Sequence, residues 1–178
     1  MSFLIKILVA GESGVGKTTL IQRYITDRFS INSKSTIGVD FFIKEIKAGC
    51  LPLLENDDLN LQIWDMSGEE RFKEILPLYS SGTQAILLCY DGTRPETLKK
   101  LAEWLDVLQR LISDDVPRIL IQTKLDLGNK ISDEVLNSFK EKNPSINMVT
   151  FITSSKDGTQ VSDVFEYCAN KVLETFEL

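Results

Sequence analysis

The segment that most constrains this chain is GESGVGKT, which occupies residues 11–18. It matches the pattern G-x-x-x-x-G-K-[ST] at every fixed position. Its glycines allow backbone conformations that a side chain would forbid, so that successive N–H groups can turn inward toward phosphate oxygens. A helix after the loop would direct its N-terminal N–H groups at the same anion. The segment therefore predicts a phosphate-binding loop, in which Lys17 reaches the β- and γ-phosphates and Thr18 ligates Mg²⁺.

The flanking residues favour this interpretation. Residues 3–10, FLIKILVA, are nearly continuously apolar, as expected of a buried parallel strand. Residues 19–25, TLIQRYI, have the pattern of the helix that should follow the loop. The alternative is an ordinary glycine turn between a strand and a helix, but the full motif in this order is hard to meet by accident.

Composition excludes several classes of protein. The net charge of −6 argues against nucleic acid or an anionic membrane as the main partner. The absence of histidine excludes Ser-His-Asp and Cys-His catalysis and histidine-ligated metals. Three widely spaced cysteines are too few for a zinc site or a disulfide framework, and they favour a reducing, cytoplasmic compartment. The sequence shows neither a signal peptide nor an apolar run of membrane-spanning length.

Strand and helix patterns alternate along the chain, which predicts an α/β fold with a mostly parallel, six-stranded sheet and helices on both faces. We expect a single domain over residues 1–178. The predicted strands are 3–10, 38–47, 59–65, 84–91, 118–123 and 148–152. The predicted helices are 16–27, 70–80, 95–112, 132–142 and 159–176.

The second and third predicted strands are joined by the long loop 48–58, which has no helical pattern. Without a helix between them, the two strands should form an antiparallel hairpin at one edge of the sheet. The leucines in this loop look exposed. The loop is either a disordered tip or a docking site, and the tip is the favoured interpretation.

Residues suited to binding follow four of the predicted strands. The Gly11 loop follows the first strand, Asp65 ends the third, Lys124 and Asp126 follow the fifth, and Ser154 follows the last. In α/β sheets of this kind, ligands bind outside the carboxyl ends of the strands. We therefore expect these side chains to meet at one edge of the sheet.

Four further segments carry a family resemblance: STIGVDF at 35–41, WDMSGEERF at 64–72, TKLD at 123–126 and TSSK at 153–156. With the phosphate-binding loop, they make the whole chain resemble a small GTPase of the Ras superfamily, and the first two are most similar to the Rab branch. The run TKLDL is similar to Rho proteins. However, the short interval between Asp126 and Ser154 leaves no room for the helical insert that Rho proteins carry there.

The resemblance implies the P-loop GTPase fold and a site for GTP or GDP with Mg²⁺. It implies that Phe29 stacks on guanine, that Lys124 lies along the base and ribose, and that the Ser155 N–H reads the guanine O6. The nucleotide-binding residues that it implies are Ser13, Gly14, Val15, Gly16, Lys17, Thr18, Thr19, Phe29, Thr36, Gly68, Thr123, Lys124, Asp126, Ser154, Ser155 and Lys156. The implied metal site consists of Thr18, Thr36 and Asp65, and the implied catalytic residues are Lys17, Gly68 and Glu69.

Physical chemistry agrees with the role implied for Asp126. Its carboxylate can accept from the N1–H and the exocyclic amine of guanine, whereas adenine would present an acceptor at that edge and leave buried groups unpaired. Taken alone, Asp126 fits a turn aspartate equally well, and Phe29 fits a surface or core residue. Phe41, Trp64 and Tyr79 resemble the aromatic triad through which Rab proteins meet effectors, and they would also pack the hairpin against a helix.

The sequence departs from the family pattern at several positions. Glu69 stands where the family has the glutamine that orients the attacking water, and its negative charge beside the γ-phosphate predicts altered, slow intrinsic hydrolysis. The alternative is that Glu69 polarises the water as a weak base. Met66 and Ser67 replace a Thr-Ala pair. Thr123 replaces an asparagine that contacts the base and ties its loop to the phosphate-binding loop. We therefore expect somewhat weaker nucleotide binding with guanine specificity kept.

The function that the resemblance implies is a monomeric GTP-binding switch, Rab-like in membrane trafficking, whose partners are effector, exchange-factor and GTPase-activating proteins. Membrane association would require a lipidated tail, which this chain does not contain. A guanine-nucleotide-binding interaction module with negligible turnover is the alternative. A P-loop kinase or ATPase is a third hypothesis, but Asp126 and the lack of an arginine-rich lid argue against it.

Overall fold

The structure is a computed structural model that describes residues 2–30, 35–54, 57–143 and 149–176. Within them the chain forms six strands and five α-helices. The strands are β1 (Ser2–Ala10), β2 (Val39–Ile46), β3 (Asp58–Met66), β4 (Ala85–Asp91), β5 (Arg118–Thr123) and β6 (Val149–Ile152). The helices are α1 (Lys17–Thr26), α2 (Leu76–Ser80), α3 (Pro95–Leu111), α4 (Asp133–Lys142) and α5 (Val161–Glu174). Nowhere in these residues is a helix long and apolar enough to cross a membrane.

The strands form one sheet in the order β2-β3-β1-β4-β5-β6. β2 lies antiparallel to β3 at one edge, and the other neighbouring strands are parallel. The predicted mixed sheet is therefore confirmed, including its antiparallel edge strand. After β1 the chain builds β2 and β3 on one side and β4 to β6 on the other. The carboxyl end of β1 is thus the kind of switch point at which open α/β sheets bind ligands.

Both faces of the sheet are covered by helices. Ile5, Ile7 and Val9 of β1 pack on the face covered by α1 and α5, whereas Leu8 and Ala10 pack on the face covered by α2, α3 and α4. All five of these side chains are fully buried. This alternation along β1 explains its continuous apolar run, since a central parallel strand buries both of its faces.

The predicted single helix over 70–80 is wrong. The chain instead forms a 3-10 segment, Glu70–Ile75, followed by the short helix α2. Pro77 lies in the first turn of α2, where its missing N–H would have no intrahelical partner in any case. In the middle of a longer helix the same proline would remove a backbone hydrogen bond.

The loop after β2 is better packed than its sequence predicts. Leu51 and Leu54 are 5% and 1% exposed and belong to the core under α1 and α5, so the expectation of exposed leucines is wrong for these two. Their backbones close a turn through the bond from the Leu54 N–H to the Leu51 carbonyl. Residues 55–56 of the predicted loop and residue 148 of the last predicted strand lie outside the described residues.

Candidate functional site

A cavity of about 390 Å³ lies at the carboxyl end of the sheet. Its walls come from the loop after β1, the start of α1, and the segments that precede β2 and follow β3, β5 and β6. The lining residues are Ser13, Gly14, Gly16, Lys17, Thr18, Thr19, Phe29, Ser30, Ser35, Thr36, Gly68, Thr123, Lys124, Asp126, Leu127, Ser155 and Lys156.

Four of the predicted site residues do not line this cavity: Val15, Asp65, Glu69 and Ser154. Conversely, sequence reasoning missed three that do, namely Ser30, Ser35 and Leu127. Ser35 and Leu127 directly adjoin the predicted residues Thr36 and Asp126, so their positions beside the motifs were the available signal.

The end of the cavity formed by the loop after β1 is built to hold an anion. Gly16 precedes α1 with a φ of 101°, a left-handed conformation that favours glycine, and it has no side chain to cap the helix. Lys17 is 5% exposed, and its Nζ donates to the carbonyls of Gly11 and Glu12 at 2.8 and 3.0 Å. Burial lowers the pKa of this ammonium, and the nearby Asp65 carboxylate opposes that shift. A buried cation beside the N-terminus of a helix attracts phosphate.

Beside Lys17, three oxygen-bearing side chains converge. The Thr18 hydroxyl donates to Asp65 Oδ2, Thr36 Oγ1 lies 3.2 Å from the same oxygen, and the two hydroxyl oxygens lie 2.8 Å apart. Asp65 is fully buried, and its other oxygen, Oδ1, has no hydrogen-bond partner among the described residues. Such an orphaned carboxylate oxygen calls for a cation or water, and hard oxygen donors are the ligands that Mg²⁺ prefers. The residues present therefore fit Mg²⁺.

At the opposite end of the cavity, Asp126 is held by a residue from another strand end. The Ser154 hydroxyl, which is buried, donates to Asp126 Oδ1 at 2.9 Å. Ser154 thus reaches the cavity through Asp126. Phe29, at 38% exposed, and Lys124 also line the cavity. One cavity is therefore lined by a carboxylate acceptor, an aromatic ring and a lysine, from Asp126, Phe29 and Lys124.

Thr123 keeps a hydrogen bond to the phosphate-binding loop, which the replacement of the family's asparagine was expected to remove. Its hydroxyl lies 2.6 Å from the Val15 carbonyl and 3.0 Å from the Tyr90 carbonyl, so it still joins the end of β5 to the loop after β1. The expected loss of this connection is therefore wrong. The threonine side chain is shorter than that of asparagine, but from the end of β5 its hydroxyl still bonds the phosphate-binding loop. Thr123 is 2% exposed, so this bond is shielded from water.

Replacing Thr123 with valine should lower the free energy of unfolding by about 1–3 kcal/mol, because it leaves buried carbonyls without their donor. Thr150 on β6 offers a matched control, since its buried hydroxyl has no hydrogen-bond partner among the described residues. Thr150→Val should therefore be neutral or slightly stabilising. Urea unfolding of both variants measures the difference, and equal losses would contradict the assigned bond.

Glu69 lies apart from the cavity in this structure. Its carboxylate pairs with Arg71, Oε2 to Nε at 2.9 Å, at the start of the 3-10 segment. Its neighbour Gly68, by contrast, lines the cavity and packs against the backbone of Glu12 and Ser13. Glu69 would have to leave Arg71 to approach a ligand in the cavity, which sequence alone did not reveal.

Comparison with known proteins agrees with this geometry. The model of the Ras family matches residues 6–174. The chain is 34% identical over 172 residues to the Ras-related protein Rab-18-B of Danio rerio, covering 96% of the chain and 80% of the relative. It is 35% identical over 175 residues to the GTP-binding protein YPT1 of Saccharomyces cerevisiae, covering 97% and 81%. It is 33% identical over 171 residues to the Ras-related protein Rab-1C of Dictyostelium discoideum, covering 95% and 81%. The chain therefore belongs to the Ras family of small GTPases, and within it to the Rab branch.

Proposed function

We propose that the cavity binds GTP and GDP together with Mg²⁺ and that residues 1–178 work as one switch domain. Membership of the Ras family makes the chain a guanine-nucleotide-binding GTPase. The observation that carries the more detailed proposal is one cavity with the Lys17 loop at one end and the Asp126–Ser154 pair at the other. This is the arrangement that a nucleoside phosphate requires.

The base of the nucleotide lies at the Asp126 end. One carboxylate oxygen is held by Ser154, which fixes the orientation of the group toward the N1–H and exocyclic amine of guanine. Phe29 covers the base, the Lys124 stem lies along its other side, and the N–H of Ser155 contacts O6. Thr123 and Lys156 complete this end of the cavity.

The phosphates lie over the loop of residues 13–16 and the start of α1. Lys17 balances charge on the β- and γ-phosphates, and the N–H groups of Ser13 to Thr19 supply further hydrogen bonds. Thr18, Thr36 and Asp65 would hold Mg²⁺, which neutralises phosphate charge when it is bound. Asp65 Oδ1, which is buried and has no hydrogen-bond partner in the described part of the chain, supports this assignment.

The switch resides in the segments near Thr36 and Gly68. Both line the cavity, and both precede or follow strands at its phosphate end. Contacts with the γ-phosphate order these segments, and its loss on hydrolysis releases them. The resulting change of surface is what effectors, exchange factors and GTPase-activating proteins read.

The surface that changes carries a row of aromatic rings. Phe41 packs on Trp64 with ring centroids 4.9 Å apart, and Trp64 packs on Tyr79 at 5.6 Å. Phe41 is nevertheless 45% exposed, and Ile37 and Leu78 nearby in the chain are 77% and 76% exposed. The rings therefore pack the hairpin against α2 and also present apolar surface to an effector. A Rab-like role in membrane trafficking, as a monomer, completes the proposal.

Replacing Glu69 with glutamine should raise the rate of intrinsic GTP hydrolysis. Glutamine removes the negative charge that Glu69 would bring toward the γ-phosphate on leaving Arg71, and its amide can both donate to and accept from the attacking water. It also breaks the ion pair that holds residue 69 on Arg71. We expect a rate increase of about 10²-fold, the low end of what a positioned general acid–base group contributes. Single-turnover hydrolysis rates of the parent protein and Glu69→Gln measure this effect. A slower glutamine variant would show that Glu69 assists the reaction.

Nucleotide identity and metal dependence test the proposed site directly. The purified protein should retain labelled GDP against excess ATP and lose it to excess GTP. Chelation of Mg²⁺ with EDTA should accelerate that release. Displacement by ATP as effective as that by GTP would refute guanine specificity, and release unaffected by EDTA would refute the metal site.

A further inference from the structure

The loop after β1 is held from outside by an uninterrupted series of hydrogen bonds. Three consecutive carbonyl oxygens each accept from a side chain that belongs to another part of the chain. The Arg94 Nη2 lies 3.4 Å from the Ser13 carbonyl, the Lys124 Nζ lies 2.8 Å from the Gly14 carbonyl, and the Thr123 hydroxyl lies 2.6 Å from the Val15 carbonyl.

Asp91, at the end of β4, holds two of these donors. Its Oδ2 lies 2.9 Å from Arg94 Nε and 2.7 Å from Lys124 Nζ, and its Oδ1 accepts from the N–H and hydroxyl of Thr93. The Asp91 side chain is 1% exposed. Burial alone would raise the pKa of this carboxyl, but the bonds from Lys124, Thr93 and Arg94 lower it to about 2. The Asp91 carboxylate therefore stays ionised at physiological pH.

Arg94 differs from the other two donors in its position. Lys124 and Thr123 line the cavity, whereas Arg94 does not appear among its lining residues. Its Nη2 would lie 3.6 Å from a Cβ added at Gly14, so the guanidinium rests against the loop. Arg94 can therefore act on a ligand only indirectly, through the loop backbone that it bonds or through Asp91 and Lys124.

We propose that Arg94 is a positioning residue that slows nucleotide release by holding and polarising the peptide between Ser13 and Gly14. A carbonyl that accepts a hydrogen bond from a cation makes the N–H of the same peptide a stronger donor. That N–H belongs to Gly14, in the segment whose N–H groups cradle phosphate. The inference rests on the proposed function, since it assumes that this loop binds nucleotide phosphates.

The geometry explains why an arginine serves here. The guanidinium has several donors in a fixed fork, so that Nε can bond Asp91 while Nη2 bonds the Ser13 carbonyl. Lysine at this position would keep the charge beside Asp91, but its single ammonium could not hold both partners in the same geometry. Comparing Arg94→Lys with Arg94→Ala therefore separates the effect of the positive charge from that of the two-donor geometry.

Release of GDP with a fluorescent ribose label, chased with unlabelled GDP in Mg²⁺ buffer, measures the effect. We expect Arg94→Ala to release the nucleotide about three- to tenfold faster, the range for one hydrogen bond by a partly exposed cation. Arg94→Lys should lie between that variant and the parent protein. Arg110→Ala, an exposed arginine in the last turn of α3, should match the parent.

The ³¹P NMR spectrum of bound GDP gives a second measurement that general destabilisation would not move. The resonance of the β-phosphate should shift in Arg94→Ala and stay in place in Arg110→Ala. Unchanged release and an unchanged spectrum in Arg94→Ala would overturn the inference and leave the proposed function intact. If Arg94→Ala does not fold, release from Arg94→Lys at the parental rate would overturn it instead. Failure of the parent protein to retain GDP would refute the proposed function itself.

Discussion

Replacing Asp126 with asparagine should weaken GDP binding by at least about 10²-fold, because two hydrogen bonds to a charged acceptor are worth about 1.5–3 kcal/mol each. An asparagine amide presents one acceptor and one donor, so that its NH₂ group would face the exocyclic amine of guanine. The Ser154 hydroxyl would still hold the side chain at the same end of the cavity. The loss should therefore reflect mismatched donors rather than a displaced loop.

The same substitution should improve binding of xanthosine diphosphate. Xanthine has a carbonyl oxygen in place of the exocyclic amine, which matches the donor that asparagine adds. Competition of GDP and xanthosine diphosphate for both proteins measures the exchange of specificity. Asp133→Asn, in the first turn of α4 and away from the cavity, is the matched control. If Asp126→Asn bound GDP as tightly as the parent protein, Asp126 would not contact the guanine base.

Replacing Gly68 with alanine should lower single-turnover GTP hydrolysis by about 10²-fold, the usual cost of losing one preorganised donor to a reacting group. A Cβ at this position would lie 2.2 Å from the Ser13 nitrogen and 2.3 Å from the Glu12 carbonyl carbon. Both atoms belong to the backbone of the phosphate-binding loop and cannot yield as a flexible side chain would. The segment after β3 must therefore move away, and the Gly68 N–H moves with it.

Gly82→Ala separates this effect from general destabilisation. Gly82 has a φ of 72°, so alanine strains its backbone, but no atom of the residues that the structure describes lies within 4 Å of the added Cβ. Both variants should lose stability, and only Gly68→Ala should lose hydrolysis while it still retains GDP. Parental hydrolysis rates in Gly68→Ala would show that the close packing of Gly68 on the loop is not needed for the reaction.

Local patterns were sufficient for the framework of the fold. The apolar run of β1 predicts a central strand because both of its faces are buried, and the spacing of residues 11–18 predicts the loop that follows. The absence of a helical pattern between β2 and β3 predicts their antiparallel pairing. Each of these features depends on neighbours in the sequence, which a pattern can report.

Such patterns could not predict contacts between residues that are far apart in the sequence. Arg94 is 81 positions from Ser13, and no spacing rule predicts that its guanidinium rests on the loop. Leu51 and Leu54 look exposed in a polar loop until the turn folds them into the core. In each case, tertiary packing decides what the local sequence leaves open.

The most direct test is single-turnover hydrolysis of GTP by the purified protein loaded with Mg²⁺, followed by chromatography of the bound nucleotide. We expect bound GTP to be converted to bound GDP at a slow but measurable rate, and chelation of the metal to stop the conversion. GTP that remains intact over hours would contradict an intrinsic GTPase and favour a guanine-nucleotide-binding module without turnover of its own.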